Sequence, residues 1–493
     1  MSDDFGSNPV NSSGDGLAGI KSSVAVGVEA HKNESAYGDS VYLVENRESS
    51  GSAIQGDPHD LSNPGKPTTN LQTLMNLIKG NVGIGILAMP SALVNAGLAT
   101  GTAAILALGF LATYCMKQLV DVSVHLAEKN PDILHLNYPD TCYEAVKANS
   151  RFTRLARPFR MMVNVFIVAT QIMGCTAYLL FISSTMSQLV ELFTGFKMAI
   201  QLWELIVLGA LIPYVQVRQL RILSFFTTVA NGCVLVSLII ITQYVVRDRT
   251  IAVENMNIWG NISTYPLAFG TVIFAFEGIN LVMPLRNKMK EPTDFDGWNG
   301  VLVLGMTIIT ALYAFIGLFG FLKIGDQFND VITDYIIPLI KTDAIGWLYL
   351  TCIILVVLQI FISYGLQLYV SVIILFPPLA KVIPVSPFWG ETIIRCLLAA
   401  FTYALAASVP CLSEIFSLVG AFTGSSLSIL IPAIIDMITF IPVHHQNGHK
   451  GKLVFLLVKN GLILVVGFAG FFIGTYTSVA QIADKLEHGG CLS

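Results

Sequence analysis

The stretch Leu71-Gln72-Thr73-Leu74-Met75-Asn76-Leu77-Ile78-Lys79-Gly80-Asn81-Val82-Gly83-Ile84-Gly85-Ile86-Leu87-Ala88-Met89-Pro90 opens the first hydrophobic segment, yet it is poorly suited to an unbroken helix. Gly80, Gly83 and Gly85 each cost about 1 kcal/mol relative to alanine inside a helix. The Asn81 carboxamide competes for backbone hydrogen bonds, and Pro90 lacks an N–H for the ladder. In hydrocarbon an unpaired peptide group is so costly that backbone stays unwound only where it lines a cavity. A second interruption stands at Phe274-Ala275-Phe276-Glu277-Gly278-Ile279-Asn280, with Pro284 close behind. Two broken spans in corresponding places point to the substrate site of a membrane carrier.

The composition agrees with a membrane as solvent. Of 493 residues, 54% are hydrophobic and 12% charged, against about 25% charged in soluble proteins. Eleven spans long enough to cross about 30 Å of hydrocarbon are predicted at 70–94, 98–126, 161–190, 200–217, 221–245, 262–284, 299–322, 345–377, 389–408, 411–438 and 453–480. The third and eighth are long enough to be tilted. Gly83 and Gly278 are 195 residues apart (278 − 83), and five spans begin at each break, which fits a five-plus-five inverted repeat with one extra span. The expected fold is therefore all-α, with spans one and six broken.

Charge sets the expected orientation. Fourteen Lys and Arg fall in loops on the N-terminal side, and six in the opposite loops. The positive-inside rule then places the N-terminus in the cytoplasm and the C-terminus outside or in a lumen. Residues 1–66 hold ten acids and four bases, are rich in Ser, Gly, Asn and Asp, and read as a disordered acidic tail. The core is expected over 67–482 and a short outer tail over 483–493. The basic loop at 127–160 is expected to carry a short amphipathic segment. Arg395, Glu414, Asp436 and Lys459 lie near span ends and are expected at the interface. Eight cysteines form no C-x-x-C pair or His/Cys metal spacing. Nothing points to nucleic acid or to embedded enzymology.

In a broken helix the freed N–H groups carry partial positive charge and hold an anion, while the freed carbonyls hold an ammonium or a cation. A zwitterion such as an α-amino acid suits that arrangement. Asn81, Val82, Gly83, Ile84 and Gly85, with Phe274, Ala275, Phe276 and Gly278, are the candidate binding residues. A Cβ at Gly83 or Gly85 would keep a ligand from the backbone. The same glycines also fit helix packing through small residues, a common device in lipid. Glu277 and Lys79 lie deep in their spans, where charges are functional candidates. Glu277 either caps unwound backbone or carries a proton, and Lys79 is a gate or snorkels into a vestibule. Gln171, Cys175, Gln359, Ser363 and Tyr364 could complete a pocket or bond between helices.

The segment from Asn76 to Pro90, followed by Asn95-Ala96-Gly97, resembles the first-span signature of the proton-assisted amino acid transporters, a branch of the amino acid/auxin permease family. Phe274-Ala275-Phe276-Glu277-Gly278-Ile279, Pro284-Leu285 and Asn287-Lys288-Met289-Lys290 resemble its sixth span and following loop. Ser417-Leu418-Val419-Gly420 and Gly474-Thr475-Tyr476 are similar to its tenth and eleventh. The resemblance covers about residues 67–480 and implies the amino acid–polyamine–organocation fold. It also implies a carrier of small or neutral amino acids, with protons as coupling ion and no other cofactor, in the plasma membrane or an endolysosomal membrane. Several members carry a coupling histidine where this chain has Asn76, which does not titrate. The outward loops lack the cysteine pair of some relatives, so no disulfide is expected there. A low-capacity amino acid sensor and a sodium-coupled carrier, with its ion at the carbonyls of 80–82 and a hydroxyl such as Ser363, are the alternatives.

Overall fold

A computed structural model describes residues 67–130, 136–150, 152–218, 220–247, 257–328, 330–380, 386–409 and 411–488. The expected acidic tail over 1–66 lies outside them. Among the described residues there is no strand, and Thr68 and Met289 form an isolated bridge.

The first span is two helices, α1 (Asn70–Asn81) and α2 (Met89–Ala96). It is followed by α3 (Leu98–Lys129), the short α4 (Tyr138–Lys147), α5 (Ala156–Thr194), α6 (Ile200–Val215) and α7 (Leu220–Val246). The sixth span is again two helices, α8 (Tyr265–Ala275) and α9 (Ile279–Asn287). Then come α10 (Val301–Ile324), the short α11 (Ile332–Ile336) and α12 (Leu339–Thr342), α13 (Gly346–Ala380) and α14 (Pro387–Ser408). The tenth span runs from α15 (Leu412–Val419) through two π-turns into α16 (Ile431–Gln446). A third π-turn joins α17 (Lys450–Ala469) to α18 (Thr475–Glu487).

Among the described residues nine helices are long and apolar enough to cross a membrane, and ten if the bent pair α1–α2 counts as one. The remaining expected span, 200–217, is the 16-residue apolar α6. At about 1.5 Å per residue it falls short of about 30 Å. The outward surface is apolar: Phe455, Leu462, Val465 and Phe472 on the last span are each at least 63% exposed, as a lipid-facing helix requires. The amphipathic segment expected in the basic loop is α4, which buries Tyr138 and Cys142 and donates the Tyr138 hydroxyl to Leu427 O at 2.6 Å.

One expectation is corrected. Arg395, Glu414 and Asp436 are not interfacial but buried, at 2%, 5% and 4% exposure. Each has partners that a sequence does not display. Arg395 donates to Glu391 one turn away and to Val215 O, and Lys485 pairs with Glu414 at 2.6 Å. Asp436 Oδ2 accepts from Gln118, Lys459 and Asn460 at 2.9, 3.0 and 2.7 Å, joining three helices. Buried charge is tolerated only with such pairing. Cys411 is disulfide-bonded, a pairing on which the sequence alone is silent. It precedes α15 rather than lying within it, so it is free to pair outside the span.

Candidate substrate site

The first break forms as the residues dictate. Thr69 and Gln72 cap α1 reciprocally. Asn81 ends the helix by turning its Nδ2 back onto Leu77 O at 2.9 Å. Beyond Gly83 a 3₁₀ turn, Ile84–Ala88, leads into α2, whose first turn accepts Pro90. The two half-helices meet at 52°. At the second break Phe276, Glu277 and Gly278 fall between α8 and α9, which keep close to one axis as a 23-residue span.

The breaks lie against each other. Gly278 faces the Asn81 carboxamide so closely that a Cβ there would come within 2.1 Å of Asn81 Oδ1. The Tyr313 hydroxyl of α10 lies 2.6 Å from Asn81 O and 3.0 Å from Ala275 O, so one donor is shared between carbonyls at the two helix ends. The outer ends are tied through Gly260 N to Ala96 O at 2.9 Å and Leu98 N to Asn257 O at 3.0 Å. The opposite ends are tied through Thr68 N to Lys288 O at 2.8 Å and Lys290 N to Thr68 O at 3.0 Å.

The candidate residues divide by what they touch. Gly83 alone among residues 81–90 is not fully buried, and the heavy atom nearest to a Cβ placed on it is the Tyr178 hydroxyl at 3.8 Å. Tyr178 accepts from Gln367 Nε2 at 3.3 Å and lies close enough to Glu277 for their charges to interact. Glu277 Oε1 is buried without a hydrogen-bond partner among the described residues, so the expected capping of unwound backbone is not formed. Tyr178 and Gln367 thus lie beside Gly83, and Glu277 carries an unpartnered carboxyl oxygen on the second break. Val82 and Gly83 also line a narrow recess of about 10 Å³, with Ser237 and Gln359 among its other walls.

The other candidates face elsewhere. A Cβ on Gly85 would lie 2.7 Å from Ala275 Cα, so this glycine lets the two spans approach. Ile84, Ala275 and Phe276 are buried, Phe276 tilted against Tyr313 at 5.0 Å between ring centres. Phe274 stacks on Phe416 at 4.8 Å. Asn76 and Lys79 are half-buried on α1, and among the described residues no carboxylate pairs with Lys79. Of the polar residues expected to complete a pocket, Ser363 donates to Gln359 O at 2.9 Å and Tyr364 pairs with Thr402 at 2.7 Å. Cys175 Sγ is turned to Tyr364 O at 3.6 Å. Tyr313, Tyr178 and Gln367 were not anticipated, because an isolated Tyr or Gln in an apolar run has no sequence signal that distinguishes a site from interhelical bonding.

Unwound backbone in two spans, enclosed in a bundle with an apolar exterior, is the architecture of a membrane carrier. Residues 66–480 match the family described as transmembrane amino acid transporter protein, and the chain belongs to that family. It is an amino acid transporter, not an enzyme. Among curated proteins it is 29% identical, over 88% of this chain and 89% of the relative, to the proton-coupled amino acid transporter-like protein pathetic of Drosophila melanogaster. It is 26% identical, over 86% and 92%, to the probable amino acid transporter skat-1 of Caenorhabditis elegans.

Proposed function

We propose that this protein moves neutral amino acids with small side chains by alternating access, the substrate main chain held at Gly83 and its polar surround, with a proton as co-substrate. The observation that carries the reading is the position of Gly83. It is the one accessible point of the buried first break, it faces Tyr178, and an unpartnered carboxyl stands on the opposite break. The ladders at both ends couple the broken spans, so they are suited to move as one body against the remaining helices, as a repeat architecture requires. Proton coupling draws on the name of the Drosophila relative and on Glu277, which remains as the titratable group beside the breaks where Asn76 replaces histidine. The loop-charge bias supports a cytoplasmic N-terminus, and the Cys411 disulfide agrees, since such bonds persist on the non-cytosolic side.

The test is uptake of labelled neutral amino acids into proteoliposomes between about pH 5 and 8, with sodium replaced. Acid-stimulated uptake that is indifferent to sodium is expected. Glu277→Gln, which fixes the neutral form, should flatten the pH profile and retain exchange of bound amino acid. An unchanged profile in that variant removes Glu277 from coupling, and dependence on sodium rejects the proton reading.

A further inference from the structure

The side chain that faces Gly83 is held in place by a second residue. Tyr178 on α5 and Gln367 on α13 are each partly buried, and Gln367 Nε2 donates to the Tyr178 hydroxyl oxygen at 3.3 Å. The other end of the carboxamide is packed as well. A Cβ on Gly174 would come within 2.6 Å of Gln367 Oε1, so glycine there lets that oxygen settle against the backbone of α5. Cys175 Sγ lies 4.0 Å from the same oxygen, although its nearer acceptor is Tyr364 O at 3.6 Å. The weak thiol donor thus flanks the oxygen end, and the nitrogen end is turned to the phenol. Among the described residues the Tyr178 hydroxyl makes no other hydrogen bond. A phenol carries one proton, so with its oxygen accepting from Gln367 that proton is left to donate. The hydroxyl is also the nearest heavy atom to a Cβ placed on Gly83, at 3.8 Å.

We infer that Gln367 is a positioning residue: it commits the Tyr178 hydroxyl to donate toward Gly83, so the substrate lies with its carboxylate, and not its ammonium, against Tyr178. The inference rests on the reading that Gly83 holds the substrate main chain. A tyrosine hydroxyl with no partner accepts from an ammonium as readily as it donates to a carboxylate. The Gln367 amide removes the first of these uses by occupying the oxygen. A hydrogen bond to an ionised acceptor is roughly twice as strong as one between neutral groups. Gln367 therefore favours ligands with a free carboxylate over their uncharged amides, without touching the ligand itself.

Alanine and alaninamide differ only in that group. The purified full-length chain is titrated with each, and affinity is read from the rise in melting temperature, which needs no transport. The wild-type protein is expected to bind alanine at least about tenfold more tightly than alaninamide. Gln367→Glu keeps the shape but turns the donor into an acceptor, so the Tyr178 proton is drawn away from Gly83. The alanine-to-alaninamide ratio should fall at least about tenfold, whereas loss of packing alone would weaken both ligands alike. Tyr178→Phe should lower the ratio similarly, and adding Gln367→Glu to it should change the ratio by less than about twofold, because the effect runs through the hydroxyl. A wild-type ratio near one overturns the inference, as does an unchanged ratio in Gln367→Glu. A full effect of Gln367→Glu in the Tyr178→Phe background also overturns it, by assigning the loss to the introduced charge. Should Gln367→Glu fail to fold, the neutral Gln367→Met decides: a fall of about threefold is expected, and an unchanged ratio overturns the inference. If none of glycine, alanine and serine stabilises the wild-type protein, the proposed function beneath the inference is rejected instead.

Discussion

At the first break the chain turns through 52° and Gly83 faces space bounded by a tyrosine hydroxyl. At the second the axis is nearly kept and the backbone is pressed on neighbouring helices. A Cβ on Gly420 would lie 1.8 Å from Gly270 O, and one on Gly270 would lie 2.2 Å from Ser417 O. Phe274 and Phe276 are stacked into the same packing. The comparison teaches that two interruptions alike in sequence need not offer alike surfaces. The first leaves Gly83 accessible, while the second is packed against its neighbours and carries one unpartnered carboxyl oxygen. Glycine has two uses here: Gly83 leaves open space at the first break, while Gly85 of that break admits the sixth span and Gly420 of the tenth span admits α8.

The largest effect is expected where glycine admits a helix. Gly420→Ala and Gly85→Val place atoms inside a neighbouring backbone, and overpacking costs about 1–3 kcal/mol or more where the backbone cannot yield. Loss of monodisperse protein on size-exclusion chromatography should follow for both. Folded, thermally stable variants would erase the distinction between the breaks. Gly83→Val should behave differently. Its φ of −119° and ψ of −147° are extended and open to any residue, and a Cβ meets ordinary contact distances. Protein should persist while uptake per molecule is abolished. Retained uptake would mean that the unwound segment does not hold the substrate.

Tyr313→Phe tests the link between the breaks and should have an intermediate effect. It removes the donor shared by Asn81 O and Ala275 O without changing the packing volume. Leaving buried acceptors unpaired costs about 1–3 kcal/mol, so a lowered melting temperature and reduced uptake are expected together. Lowered stability with undiminished turnover would show that the breaks need no common clamp.

What the sequence disclosed is uneven for physical reasons. Both breaks are legible because Gly, Asn and Pro act against a helix locally, whatever surrounds them. The division of labour between Gly83 and Gly85 is not, since it depends on Ala275, almost two hundred residues away in the chain. Tyr313 sits in the apolar run of α10 and reads as one more aromatic. Arg395 and Asp436 look interfacial by position alone, because Val215, Gln118 and Asn460 become partners only when helices pack.

The smallest effect concerns a lid present at the first break only. The short helix α11 inserts Ile332, fully buried, where Pro90 of α2 and Gly320 of α10 also converge. Next to it Asp334 accepts from Gln188 Nε2 at 2.9 Å, and Asp330, Glu414 and Lys485 are the charged groups in the adjoining cluster. Burial raises the Asp334 carboxyl to about 7, with Asp330 adding to the shift and the Gln188 bond opposing it. The docked lid therefore holds the proton more tightly than an undocked one, whose carboxyl keeps an ordinary value near 3.8. Docking is fully supported at pH below about 4, weakens as pH rises toward about 7, and changes no further above it. Acid thus favours docking of α11, and neutral conditions loosen it. Hydrogen exchange across 332–342, corrected for intrinsic rates, should show protection falling severalfold between acid and neutral pH in the wild-type protein. Asp334→Asn fixes the uncharged form and should leave protection equal at both. A pH-dependent difference surviving in Asp334→Asn would assign the response to Asp330. Equal protection in the wild-type protein would leave the first break without a titrating lid.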